Sequence, residues 1–93
     1  MANETGQAMP RYRCHKEVWA LKILRVDPDP TREVVSEAAR LLTFVEPGYA
    51  PIRVEEAYVR KHNPQAGGYY VLYEDGYASW SPAQAFEAGY TRI

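Results

Sequence analysis

Apolar residues over residues 11–26 follow a pattern that predicts a long strand at the centre of a sheet. The odd positions are polar at first and apolar from Trp19 onward, while Val18 and Ala20 are apolar as well. A strand with apolar residues on both sides is either covered on both faces or interrupted by a bulge. The sequence DPDP at residues 27–30 ends the strand, because neither proline can donate a hydrogen bond to a neighbouring strand.

The apolar spacing then changes to that of a helix, and it predicts an α-helix over residues 31–42. Asp29 or Thr31 is suited to cap this helix, and Pro30 fits its first turn. Residues 42–45 predict a short strand that ends at a Glu-Pro-Gly turn.

A second strand and helix follow. Residues 51–54 predict another short strand, and residues 55–62 predict two helical turns with acids first and bases last, as the helix dipole favours. Asn63 precedes a proline and ends the helix, since a residue in that position avoids the helical region.

The last quarter of the chain predicts a β-hairpin. Residues 69–74 and 77–80 flank Asp75-Gly76, a pair typical of a two-residue hairpin turn, and that register places Val71 opposite Trp80. Ser81 is then suited to cap a short helix with Pro82 in its first turn, Gln84 completing a capping box and Gly89 as the stop. The predicted core face of the hairpin carries Tyr69, Val71, Tyr73, Ala78 and Trp80, and the opposite face carries Tyr70, Leu72, Glu74, Tyr77 and Ser79.

Together these elements predict one small α+β domain over residues 10–93. We expect a bent antiparallel sheet of four or five strands, SH3-like or barrel-like in shape, with two or three short helices. Residues 1–9 are polar and without periodicity, which predicts a disordered tail. The chain of 93 residues is too short for a second core.

The aromatic content is unusual, since 8 of the 12 aromatic residues are tyrosines. Trp19, Tyr73, Trp80 and Phe86 are expected in the core, because a small domain fills its interior with few large side chains. Two readings stay open for Tyr70 and Tyr77. Either a second layer such as the helix over residues 31–42 covers them, or they form an exposed surface for a protein partner, a second copy or a stacked base.

Charge is unevenly distributed although the net charge is only −1. Residues 10–26 hold five bases and one acid, and the remaining 76 residues hold six bases and eleven acids. The net charge near zero excludes a histone-like protein that coats DNA. The basic segment is either an ordinary strand with solvated edges or a local strip that binds an anion.

The sequence offers no arrangement typical of catalysis or metal binding. Cys14 and His15 are neighbours on a strand and point to opposite faces, so His15 cannot activate the thiol. His62 is distant in the sequence, and a lone cysteine in a strand is typical of a small buried apolar residue. Glu55 and Glu56 diverge on a helix, so they do not form a carboxylate pair. We therefore predict a non-enzyme with no catalytic residue, no metal and no cofactor.

The bulk features also bear on location. A single cysteine excludes an internal disulfide, and no run of about 18 apolar residues or signal peptide is present. These features predict a cytoplasmic protein that does not enter a membrane.

Two stretches of the sequence resemble small accessory proteins encoded by tailed phages and prophages. The stretches are YRCHKEVWALKI from residue 12 and GGYYVLYEDGYASWSPAQAFEAGY from residue 67. Residues 48–52 and 58–64 are similar as well, so the resemblance covers most of residues 10–93. Residues 31–42 are longer than expected for such proteins, which suggests an elaboration. The resemblance implies a phage accessory protein in the cytoplasm of the infected host, and it brings no catalytic residues.

The main functional hypothesis is a binding protein with a counter-defence or host-modulating role. It would bind a host protein or sequester a small anionic nucleotide. The exposed tyrosine surface is alternatively the interface of a homo-oligomer. The alternatives are a nucleic-acid-binding accessory protein, which the charge balance disfavours, and a phage structural or assembly component. The candidate binding residues are Tyr70, Tyr77, Arg11, Arg13, His15, Lys16, Arg60 and Lys61.

Overall fold

The computed structural model describes residues 9–12, 16–29 and 38–93, and these residues form five strands and two helices. This confirms the predicted α+β class. The strands are β1 (Trp19–Pro28), β2 (Arg40–Phe44), β3 (Ile52–Val54), β4 (Tyr69–Leu72) and β5 (Ala78–Ser81), and the helices are α1 (Glu56–His62) and α2 (Ala83–Gly89).

The sheet is antiparallel throughout, with the strand order β3-β2-β1-β4-β5. Strand β1 is central, as predicted, and it changes neighbours along its length. Residues 19–22 pair with β4, and residues 23–28 pair with β2. The return of β4 to the side of β1 is a Greek-key connection. Because one bent strand serves both halves, the sheet curls into a half-barrel of the kind found in open five-stranded Greek-key barrels.

A β-bulge marks the bend in β1. Ile23 pairs with Phe44 and Arg25 with Thr43, so Leu24 is the extra residue. A bulge was one of the two interpretations of the apolar pattern around residues 18–21, and the structure has it at Leu24. The predicted start of the strand is also wrong, since residues 11, 12 and 16–18 are outside β1, and residues 13–15 lie outside the described part of the chain.

Strand β2 corrects the predicted helix over residues 31–42. Residues 40–42 belong to β2, and residues 30–37 lie outside the described residues. Leu42 is fully buried and pairs with Val26 on one side and Ile52 on the other. Backbone pairing with two strands outweighs the helical spacing of the apolar residues, as tertiary contacts commonly do.

The core lies on one face of the sheet and is small. Ile23, Leu42, Phe44 and Val54 form its buried centre, each at most 6% exposed. Helix α1 and the hairpin cover this centre. The half-buried residues packed against it are Leu21, Val26, Ile52, Tyr58, Val59, Tyr70 and Trp80.

The β4–β5 hairpin forms as predicted, but its register differs by one residue. The turn contains three residues, because the N–H of Tyr73 donates to the carbonyl of Tyr77 at 2.9 Å and the N–H of Gly76 donates back to Tyr73 at 2.9 Å. Gly76 has φ of +92°, the conformation that a three-residue turn with a glycine bulge requires. Tyr70 therefore pairs with Trp80, not Val71, and a shift of one residue moves Tyr70 to the core face.

Helix α2 packs on the other face of the sheet through stacked aromatic rings. The ring of Phe86 lies 4.2 Å from that of Tyr69 and 4.6 Å from that of Tyr90. Phe86 and Tyr69 are thus half-buried at a helix–sheet contact and lie outside the core cluster. The predicted cap is wrong, since Ser81 is the last residue of β5 and the N-cap is Pro82, with no side-chain hydrogen bond.

Candidate functional site

Helix α1 and the β4–β5 hairpin together form a connected aromatic cluster, which we define as Tyr58, His62, Tyr70, Tyr73 and Tyr77. The ring centroids of Tyr58 lie 6.0 Å from Tyr70 and 4.7 Å from His62. The ring of Tyr77 lies 6.1 Å from His62 and 6.0 Å from Tyr73. The aromatic cluster therefore runs from the edge of the core to the solvent-exposed turn.

Helix α1 ends at residues that suit its dipole, and one of its faces is turned to the hairpin. Glu56 lies in the first turn and three bases lie in the last, so both ends suit the helix dipole. Asn63 ends the helix in the left-handed conformation, with its N–H donating to the carbonyl of Val59 at 2.8 Å. Residues 58 and 62 are one turn apart and share a face, so Tyr58 and His62 both face the hairpin.

Tyr58 anchors α1 to the edge strand β5. Its hydroxyl donates to the backbone carbonyl of Ser79 at 2.7 Å, and its ring packs against Tyr70. Burial raises the pKa of Tyr58 well above its usual value, with smaller contributions from Tyr70 and Tyr77. The hydroxyl is therefore protonated and serves as a donor throughout the neutral range.

His62, Tyr77 and Lys61 form the exposed end of the aromatic cluster. The Tyr77 hydroxyl lies 3.3 Å from His62 Nε2, and the Lys61 ammonium lies 5.1 Å from the centre of the Tyr77 ring, which is cation–π distance. Partial burial, followed by the charge of Lys61, lowers the pKa of His62 below its usual value. Tyr77 is 43% exposed, so its ring is available to a partner.

The structure brings some of the predicted binding residues together and separates others. Tyr77 and Lys61 are in contact, and Arg60 lies beside them but is paired with Glu56 at 2.9 Å. Tyr70 does not lie on an exposed face with Tyr77, because the register places it against Phe44 at a ring distance of 6.2 Å. The predicted pairing of these two tyrosines on the face opposite Trp80 is therefore wrong.

Among the described residues, neither Arg11 nor Lys16 makes a polar contact with the aromatic cluster. Arg11 and Lys16 are exposed and have no hydrogen bond or ion pair among the described residues. Arg13 and His15 lie outside the described residues. A binding role for these four residues stays a prediction.

Sequence reasoning missed three residues of interest. Tyr58 and His62 were recognisable as a pair spaced one helical turn apart. Trp19 was assigned to the core, yet it is 62% exposed, so this assignment is wrong. It is the first residue of β1 and pairs with the last residue of β4, so little of the sheet extends beyond it to cover the indole.

The site has the character of a surface and not of a reaction centre. The outer side of α1 has a shallow depression lined by Glu56, Ala57, Arg60 and Lys61. Across residues 9–12, 16–29 and 38–93, no group of three histidine, cysteine or acidic residues is placed to hold a metal ion. Neither described helix is long and apolar enough to cross a membrane.

Comparison with known proteins gives one informative likeness. No family model and no curated protein sequence matches the chain. Among solved structures, the chain is similar to the NMR solution structure of the monomeric form of the phage L decoration protein, with 26% sequence identity and a TM-score of 0.59. The match covers 82% of this chain and 52% of that chain, so this chain spans about half the length of the decoration protein. The likeness is to a phage protein, which agrees with the phage resemblance of the sequence.

Proposed function

We propose that the chain is a non-enzymatic phage structural protein that binds the outer surface of a capsid shell. The observation that supports this most is the likeness to the phage L decoration protein, which combines 26% identity with a shared fold over 82% of the chain. This was the structural alternative among the functional hypotheses. The counter-defence reading, with a host protein or a nucleotide as partner, gains no support from this likeness.

The exposed surface is of a kind that suits protein binding. Tyrosine and tryptophan are the residue types that contribute most to protein–protein contacts, and Tyr12, Trp19 and Tyr77 are each more than 40% exposed. A decoration role requires only binding, so it needs no catalytic group.

Co-sedimentation with capsids tests the proposal. The purified chain is mixed with capsids of the phage from which the gene is taken, and separately with phage L capsids stripped of their decoration protein. We expect saturable co-sedimentation with the first capsids, with a fixed number of copies per capsid. A heat-unfolded sample of the same chain is the control for nonspecific trapping.

A chain that stays in the supernatant at all concentrations, while remaining folded by circular dichroism, would contradict the proposal. Binding to phage L capsids as well would show that the two proteins recognise a common feature. Binding to the first capsids alone would still support the proposal, with a specificity set by residues that differ between the two proteins.

A further inference from the structure

We infer that one end of the half-barrel, which we name the hairpin end, is the surface that contacts the capsid protein. The hairpin end comprises residues 16–18, Trp19 at the start of β1, and the turn from Tyr73 to Tyr77 with Lys61 beside it. This inference rests on the proposed function and names the surface that carries it out.

The strand register brings the parts of the hairpin end together. Trp19 pairs with Leu72, which is the last residue of β4, and Tyr73 and Tyr77 close the turn that follows. Neighbouring strands lie about 4.8 Å apart, so the backbones of Trp19 and Tyr77, two strands apart, are about 10 Å from each other. The chain before Trp19 therefore leaves the sheet at the same end as the turn.

The hairpin end exposes large aromatic side chains. Trp19 is 62% exposed and Tyr77 43%. Exposed Trp and Tyr side chains in one region are the usual anchors of a protein interface.

The charges at the hairpin end favour a protein partner over a nucleic acid. Within the described residues, two cations there, Lys16 and Lys61, have no acidic partner, and three acids have no basic partner. Elsewhere most charged side chains of the described residues form ion pairs within the chain, as Lys22 does with Glu87. A phosphate backbone requires an excess of cations, whereas a folded protein surface offers both signs to a mixed rim around an apolar centre. The three unpaired acids are Glu17, Glu74 and Asp75.

Alanine substitutions at the two best-placed aromatic residues test the inference. Trp19→Ala and Tyr77→Ala are compared with Tyr49→Ala, a matched control in the β2–β3 connection that is 52% exposed. Affinity for capsids of the source phage is measured by co-sedimentation, and folding by thermal unfolding. We expect Trp19→Ala to weaken capsid binding by roughly thirtyfold or more, as for a hot-spot aromatic, with its melting temperature unchanged. Tyr49→Ala should change affinity by less than about threefold.

A second measurement uses the unchanged chain, so it does not require the alanine variants to be fully folded. Acrylamide quenching of tryptophan fluorescence in the unchanged chain should fall when capsids are added, because Trp19 becomes covered. The Trp19→Phe variant should lose this protection while still binding.

The outcomes separate the two proposals. If the unchanged chain binds capsids and Trp19→Ala binds equally well, the hairpin end is not the docking surface, although the proposed function stands. If the unchanged chain does not bind capsids, both are overturned. If the chain instead binds DNA at low salt, and a double charge reversal at Lys16 and Lys61 abolishes that binding, the hairpin end serves a nucleic acid and the inference is wrong.

Discussion

Among single residues, Gly68 shows most directly how tightly the half-barrel is packed. A Cβ atom at this position would lie well inside contact distance of the Trp80 indole, so the ring packs directly against the backbone of Gly68. The indole Nε1 is buried without a hydrogen-bond partner among the described residues. The position of the Trp80 ring is therefore determined by packing and not by hydrogen bonds.

We predict that Gly68→Ala destabilises the fold by about 1–3 kcal/mol, because a rigid indole must move to admit a methyl group. Gly89→Ala is the matched control, since a Cβ there would meet nothing within 4 Å and alanine favours the helix. Urea unfolding of both variants measures the difference. Equal stability of the two variants would contradict the packing described for Trp80.

His62 gives a pH dependence whose direction follows from its lowered pKa. Partial burial disfavours the charged imidazole in the folded chain, and the Lys61 ammonium adds to this. As the pH falls, the unfolded chain therefore binds the proton first, from about pH 6.5 downward. The stability contributed by neutral His62 is present above that pH and is lost as the pH falls through the folded-state pKa.

We predict that the melting temperature falls between pH 7.5 and 5.5 by more in the unchanged chain than in His62→Gln. His15 is present in both proteins, so the difference between the two curves isolates His62. Parallel curves would show that the imidazole is as readily protonated in the folded chain as in the unfolded one.

At the scale of secondary-structure elements, α1 and β5 depend on one side chain for their polar contact. Tyr58→Phe removes the hydroxyl that donates to Ser79 but keeps the ring that packs on Tyr70 and His62. We predict a loss of about 1 kcal/mol, the usual contribution of one hydrogen bond to stability. Urea unfolding measures it, with Tyr49→Phe as a control because Tyr49 is exposed and should change by less than about 0.5 kcal/mol. Increased amide exchange in α1 alone would show that the contact holds the helix specifically.

The elements also show what the sequence could and could not predict. Local patterns were sufficient for α1, β3 and the existence of the hairpin, because caps, prolines and an Asp-Gly pair act within a few residues. The register of the hairpin depends on whether the turn has two or three residues, and Asp75-Gly76 fits both. That single choice decided whether Tyr70 lies in the core or on the surface, so the candidate site was only half predicted. Strand β2 was missed in part because its pairing partners are distant in sequence.

At the scale of the whole molecule, the central strand β1 joins the two halves of one sheet. Its first residues serve the hairpin and its last residues serve β2, with the bulge at Leu24 between them. The structure confirms the predicted bent sheet. Apolar residues on both faces of one strand indicated such a bend. The exposed position of Trp19 follows only from the complete strand order, which no local pattern contains.

The two ends of the chain should contribute very differently to the stability of the whole. Residues 9–12 make no hydrogen bond, ion pair or ring contact with the described body, whereas Tyr90 stacks on Phe86 at 4.6 Å and Arg92 forms two hydrogen bonds with Glu46. We predict that deleting residues 1–12 leaves the melting temperature within about 2 °C of the full chain. Deleting residues 90–93 should lower it by about 5 °C, because a stacked aromatic pair contributes about 1 kcal/mol and a domain of this size loses about 4–8 °C per kcal/mol. Differential scanning calorimetry of the two truncated chains checks the prediction. A large loss of stability on removing residues 1–12 would contradict the prediction, and it would mean that this segment packs on the body in solution.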